Sequence, residues 1–302
     1  MEKNMFFDLC LETLKNRFRS TEYEIKVEDV WKNNAPLKGI MICQREEWGT
    51  VGGPVVYPEL LCAQYPAILQ NENTMTEFLE NLCSAMEDAV KQQDLIWFKK
   101  QCLEPKNLRL AVVNYEKNKD LLEACPHRHM EDLAVYVRSV FETKDDNIAS
   151  GHITYGALKE MGISEEELFT LAGINSGRKK IFQSLSRFMC SIFDQQMKMD
   201  SPDLFCPDLY ILSTEDAMYG AGLIACKDVL QDIYNQLGTG FYILPSSIHE
   251  VLILQAHEKN ESNTAAFKDM VREVNHTEVD PKDVLSDSVY WFNGHACERL
   301  ID

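Results

Sequence analysis

The sequence predicts an α+β protein with mainly antiparallel sheets flanked by helices in two lobes. Three observations carry that expectation. Apolar residues switch between a period of two and a period near 3.6 along the chain, so strands and helices are both present. Several like runs are joined by only a few turn residues, a connection length that suits antiparallel pairing. At 302 residues the chain is long for a single compact core.

The first lobe opens with a helix over residues 3–17, where Phe6, Leu9, Cys10 and Leu14 fall near one face. Tyr23, Ile25 and Val27 alternate with charged neighbours as a half-buried strand. A second run, Leu37 to Cys43, completes a hairpin across Asn33-Asn34-Ala35-Pro36. Gly49 to Pro58 reads as a loop. Thr74 to Gln92 is the clearest helix, with Thr74 as N-cap and Glu77 closing a capping box. Strands follow at 108–113 and 133–141 around a short helix at 118–124. Residues 144–151 form a polar turn, and a strand from His152 to Tyr155 leads into a helix opened by Ser164. Asp200-Ser201-Pro202-Asp203 is the expected connector, giving an N-terminal lobe of 1–200 and a C-terminal lobe of 201–302.

The C-terminal lobe reads β-β-α-β-β, then a helix and a strand. Strands are expected at 209–212, 220–226, 241–244 and 248–254, with a helix at 227–237 ending at Gly238. A helix at 263–274 and a strand at 289–292 close the lobe. Proline cannot donate to a ladder, so Pro245-Ser246-Ser247 is placed at the exposed turn of a 241–254 hairpin in the central sheet.

Charge is the outlier. Residues 1–150 hold 18 basic and 25 acidic side chains, residues 151–302 hold 12 and 23, and the total is −18. That sign opposes direct nucleic-acid binding and leaves open an acidic DNA mimic. No run approaches a membrane span, and the first 18 residues lack a signal-peptide pattern. The ten cysteines are at least 16 residues apart, which excludes a zinc knuckle and fits buried thiols in a reducing cytoplasm. No P-loop, H-E-x-x-H or Gly-x-Ser-x-Gly signature is present, and no motif asks for a cofactor.

Two segments carry chemistry-bearing residues. Ser246, Ser247, His249 and Glu250 could form an activated nucleophile, although His249 and Glu250 point apart if they lie in a strand. His127 and His129, two apart, with Glu131 or Asp132, could hold a metal. Arg178, Lys179, Lys180 and Arg187 form a basic cluster, read as a solvated helix face or a binding patch.

Several segments together resemble an uncharacterised bacterial family, common in gut Clostridia and known as a domain of unknown function. They include Asn114-Tyr115-Glu116-Lys117-Asn118, Pro126-His127-Arg128, Asp132-Leu133-Ala134, Tyr210-Ile211-Leu212-Ser213, Val284-Leu285-Ser286-Asp287 and, most specifically, Ile243 to Val251. The resemblance implies a cytoplasmic bacterial protein and brings no activity. The leading expectation is a non-catalytic protein that binds a macromolecular partner, with no membrane contact. The alternatives are a hydrolase or metal-assisted enzyme built on the Ser246–Glu250 turn, and an acidic DNA mimic of a mobile element.

Overall fold

The computed structural model describes residues 3–20, 22–46, 49–51, 53–64, 72–92, 95–143, 147–192, 208–245 and 247–301. The chain divides into two compact units, Met1–Lys100 and Gln101–Asp302. The break therefore falls at 100/101, and the connector expected at 200–203 lies outside the described residues. The segments flanking that connector, Lys180–Ser184 and Leu209–Thr214, pair as neighbouring antiparallel strands. Sheet pairing thus continues across the boundary expected at 200.

In the first unit, α1 (Lys3–Arg17) precedes a long hairpin of β1 (Tyr23–Lys32) and β2 (Ala35–Glu46). Its register runs from Tyr23↔Gln44 to Lys32↔Ala35, around Asn34 in the left-handed region at φ 69°. The expected loop at 49–58 instead holds two short strands, β3 (Gly49–Val51) and β4 (Val55–Val56), both paired to β2. After α2 (Pro58–Gln64), α3 (Glu72–Gln92) begins before Thr74, so Thr74 is inside the helix and is not its cap. Phe6, Cys10 and Leu14 of α1 pack with Ile40 and Ile42 of β2 and with Leu79 of α3, the spacing that the helical period selects. Helix α4 (Leu95–Leu103) follows.

The second unit contains two antiparallel sheets. The smaller is centred on β7 (Leu133–Glu142), which pairs with β5 (Leu108–Asn114), with β6 (His127–Met130) and with β8 (Ile148–His152). The larger has six strands: β9 (Lys180–Ser184), β10 (Leu209–Thr214), β11 (Phe241–Pro245), β12 (Val251–Gln255), β13 (Val289–Phe292) and β14 (Cys297–Leu300). Their order is β14-β13-β11-β12-β10-β9. Helices α5 (Lys119–Glu123), α6 (Tyr155–Met161), α7 (Glu165–Arg178), α8 (Leu185–Ile192), α9 (Lys227–Leu237) and α10 (Glu261–Thr277) flank them. The architecture is α+β with antiparallel sheets flanked by helices.

One core joins the two sheets: Val135 and Val137 of β7 and Phe169 of α7 are buried in the same cluster as Ile243 of β11 and Ile253 of β12. The alternate residues Tyr242 and Leu244 face the other way, onto Trp291 and Val271 of α10, as a period of two requires. Ser164 caps α7, accepting from the Glu167 backbone while Glu167 bonds back to it, a complete capping box. Three assignments change. The expected strand from His152 to Tyr155 is absent: His152 ends β8, Thr154 caps α6 and Tyr155 opens that helix. Part of the expected polar turn at 144–151 is strand β8, and residues 144–146 lie outside the described residues. The expected strand at 220–226 is a 3-10 turn, Gly220–Ala225. A Cβ at Gly220 would sit 2.4 Å from the His249 carbonyl oxygen, and one at Gly222 would sit 2.2 Å from that of Leu110. Two backbones approach too closely there for side chains. Among the described residues no helix is long and apolar enough to cross a membrane.

Candidate functional site

The 241–254 hairpin forms with the register Phe241↔Gln255 to Pro245↔Val251, but its turn is not exposed. Pro245, Ser247 and Ile248 are buried, Ser247 with 6% of its surface accessible; Ser246 lies outside the described residues. Several described polar groups of the turn have partners within the protein. The Ser247 hydroxyl donates to Glu250 Oε1 at 2.8 Å and accepts from the His249 backbone N–H at 2.9 Å. The Ile248 N–H donates to the Asp283 carbonyl at 2.9 Å. The Ser213 hydroxyl donates to the His249 carbonyl at 2.9 Å.

His249 is oriented away from Ser247. Its Nδ1 accepts from the Tyr219 backbone N–H at 3.3 Å, which leaves Nε2 facing Asp283 Oδ1 at 3.8 Å. Tyr219, left-handed at φ 57°, packs its ring 5.6 Å from the imidazole. The buried Arg138 guanidinium lies 4.6 Å from the Tyr219 ring, and the Tyr219 hydroxyl bonds Ser150 of β8 at 3.0 Å. The sequence candidates Ser247, His249 and Glu250 are therefore neighbours, but no hydroxyl–imidazole hydrogen bond joins Ser247 to His249. A nucleophile–base pair needs that bond.

The metal candidates separate in the same way. His127 and His129 of β6 lie with ring centroids 6.3 Å apart, and the Tyr115 ring lies 3.8 Å from that of His129, tilted by 48°. Asp132 belongs to a different network. Its carboxylate accepts from Ser286 (2.6 Å), Ser288 (2.9 Å) and Tyr290 (2.6 Å), and Arg299 lies 3.6 Å away. Burial alone would raise the Asp132 carboxyl, but these hydrogen bonds and the Arg299 charge hold it below the ordinary carboxylate range. The same burial and the Asp132 charge push the Tyr290 phenol well above its usual value. This network ties the β6–β7 turn to β13, a structural latch. Among the described residues no three His, Cys, Asp or Glu side chains come together to hold a metal ion.

A hollow of ligand size lies elsewhere in this unit. β6, α7 and the start of α9 border a cavity of about 720 Å³. Helix α7 is fixed beside β5 by Ser176, whose hydroxyl accepts from the Leu110 N–H at 2.9 Å, and by Asn175, which donates to the Pro105 carbonyl at 2.8 Å. Leu110, Val135, Phe169 and Val229 supply apolar wall. The rim carries Arg128, Arg178, Lys180 and Lys227, with Asp228 and Asp232 opposing them. Arg128 lies 4.2 Å over the Phe169 ring and pairs with Glu166 at 2.6 Å; Lys180 pairs with Asp232 at 3.1 Å. Arg178 and Lys227 make no ion pair among the described residues.

Cys226 also lines this space. Burial, with a smaller contribution from the Asp228 charge, pushes its thiol up to about 12, so the wall contains a thiol and not a thiolate. Two features flagged in sequence thus meet here: Arg128 and His129 from the histidine motif, and Arg178 and Lys180 from the basic cluster. Of the other cluster members, Lys179 pairs with Asp216 at 2.7 Å, and neither it nor Arg187 lines the cavity. Sequence reasoning missed Phe169 and Lys227, which sit in ordinary helical patterns with no local mark of a site.

The chain belongs to a family of unknown function, DUF5688, whose model matches residues 3–294. No curated protein and no solved structure matches it.

Proposed function

For this DUF5688 member we propose a non-catalytic role: a cytoplasmic bacterial protein that binds a macromolecular partner through the cavity bordered by β6, α7 and α9. The observation that supports this most is the charge contrast. The chain carries −18, yet the rim of its second unit's large hollow gathers four basic side chains against two acidic ones. Binding sites pair an apolar hollow with a few polar groups that face it. The hydrolase reading has less support, because the Ser247 hydroxyl donates to Glu250 and not to His249. The DNA-mimic reading draws on net charge alone.

The test is site-specific photo-cross-linking in host cytosol. A benzophenone amino acid replaces Ile174, which lines the cavity and is 49% exposed, or Met270 on α10, which does not line it. The expected result is a discrete adduct from position 174 that disappears with Arg178→Glu, and none from position 270. Equal labelling from both positions, or none from 174, would count against the proposal.

A further inference from the structure

We infer that the element docked in this cavity is an acidic peptide segment of a protein partner, with one apolar side chain inserted and carboxylates on either side. The inference rests on the binding reading above and names its chemistry. The cavity has two layers. Leu110, Val135, Phe169 and Val229 provide apolar wall, while Arg128, Arg178 and Lys227 are exposed at the rim. A volume of about 720 Å³ exceeds what one side chain fills and lies within the roughly 300–1,000 Å³ range of ligand-holding clefts.

Charge complementarity selects the sign. A protein with 48 acidic and 30 basic side chains repels an anionic segment over most of its surface, so a local excess of cations marks where that segment can land. Arg178 and Lys227 have no ion pair among the described residues, which leaves their donors available. The Arg128 guanidinium lies 4.2 Å from the Phe169 ring centroid and already pairs with the exposed Glu166 at 2.6 Å, so a ligand carboxylate there shares or exchanges with Glu166. Asp228 and Asp232 on the same rim disfavour a continuous phosphate backbone, which would bring its charges past both. A peptide can place its carboxylates between them.

The experiment is a fluorescence-anisotropy titration of the full chain with a labelled Asp-Glu-Phe-Glu-Asp peptide. The comparison probes are Lys-Arg-Phe-Arg-Lys, Asp-Glu-Gly-Glu-Asp, phenyl phosphate as a competitor and an oligothymidylate. The expected result is saturable binding of the acidic Phe peptide that weakens as salt rises. The Gly peptide should bind more weakly and the basic peptide should not bind. Arg178→Glu combined with Lys227→Glu should lower affinity on the order of tenfold or more, with an unchanged melting temperature. Equal binding by this double variant, or by the basic peptide, would overturn the proposal. Tighter binding of the oligothymidylate would replace the peptide with single-stranded nucleic acid. Binding of phenyl phosphate in isothermal titration calorimetry, with the peptide itself silent, would replace it with a small organic anion. Cross-linking from position 174 without binding of the acidic peptide would sink this inference and leave the binding reading standing.

Discussion

The Pro245–Glu250 turn and the β6–α7–α9 cavity both set polar side chains beside apolar ones. They differ in what their polar atoms face. In the turn, the Ser247 hydroxyl, the Ile248 and His249 N–H groups and the His249 carbonyl all bond within the protein, to Glu250, Asp283, Ser247 and Ser213. Around the cavity, Arg178 and Lys227 face a hollow without an ion pair among the described residues. A buried polar group that is fully bonded adds to the specificity of the fold. An exposed cation beside an apolar hollow contributes little to stability and remains free to bind. Residue chemistry alone does not separate the two cases, whereas hydrogen-bond accounting does.

That contrast orders the expected effects of substitution. The largest is on the hairpin itself. Ile253 is fully buried in the core shared by both sheets, and Ile253→Ala should cost on the order of 2–5 kcal/mol in unfolding free energy. A cost below about 1 kcal/mol by chemical denaturation would mean that the central sheet is not as described.

Next comes the Asp132 latch. Asp132→Ala strands the hydroxyls of Ser286, Ser288 and Tyr290 and should cost about 2–4 kcal/mol. Because the folded Asp132 carboxyl is held below its ordinary value, its contribution is fully present above the unfolded pKa of about 3.9. It is lost as pH falls through the lower, folded value. Asp132→Asn should therefore flatten the acid limb of the stability–pH curve; an unchanged limb would remove the latch.

Ser247→Ala should cost about 1–2 kcal/mol, because the Glu250 carboxylate and the His249 N–H both lose a partner inside a buried turn. A neutral result would return the turn to the exposed role read from its sequence. Arg178→Glu belongs at the bottom of the scale, within roughly 0.5 kcal/mol of the parent, since Arg178 is exposed and has no ion pair among the described residues.

What the sequence revealed and what it hid follow the same division. The β1–β2 hairpin, the Ser164 N-cap and the split of Tyr242 and Leu244 from Ile243 are set by patterns close in sequence, so period and cap chemistry expose them. Burial of the turn depends on Tyr219 and Asp283, each some thirty residues away in sequence. Gly220–Ala225 has the apolar look of a strand, yet the carbonyls of His249 and Leu110 force a tight 3-10 path. Asp132 lies three residues from His129 in sequence, but its partners are on β13 and the segment before it, more than 150 residues on. Arg128, His129, Arg178 and Lys180 could each be flagged as chemistry-bearing. Their meeting at one cavity, joined by Phe169 and Lys227, requires the packing of α7 beside β5 and β6.

Amide hydrogen exchange, with and without the acidic Phe peptide, tests the central claim most directly. Bound peptide should slow exchange at β6 residues 127–130 and in the first turn of α9, residues 227–229, and leave residues 247–250 unchanged. Protection at 247–250 with no change around the cavity would contradict the account and make the turn the site.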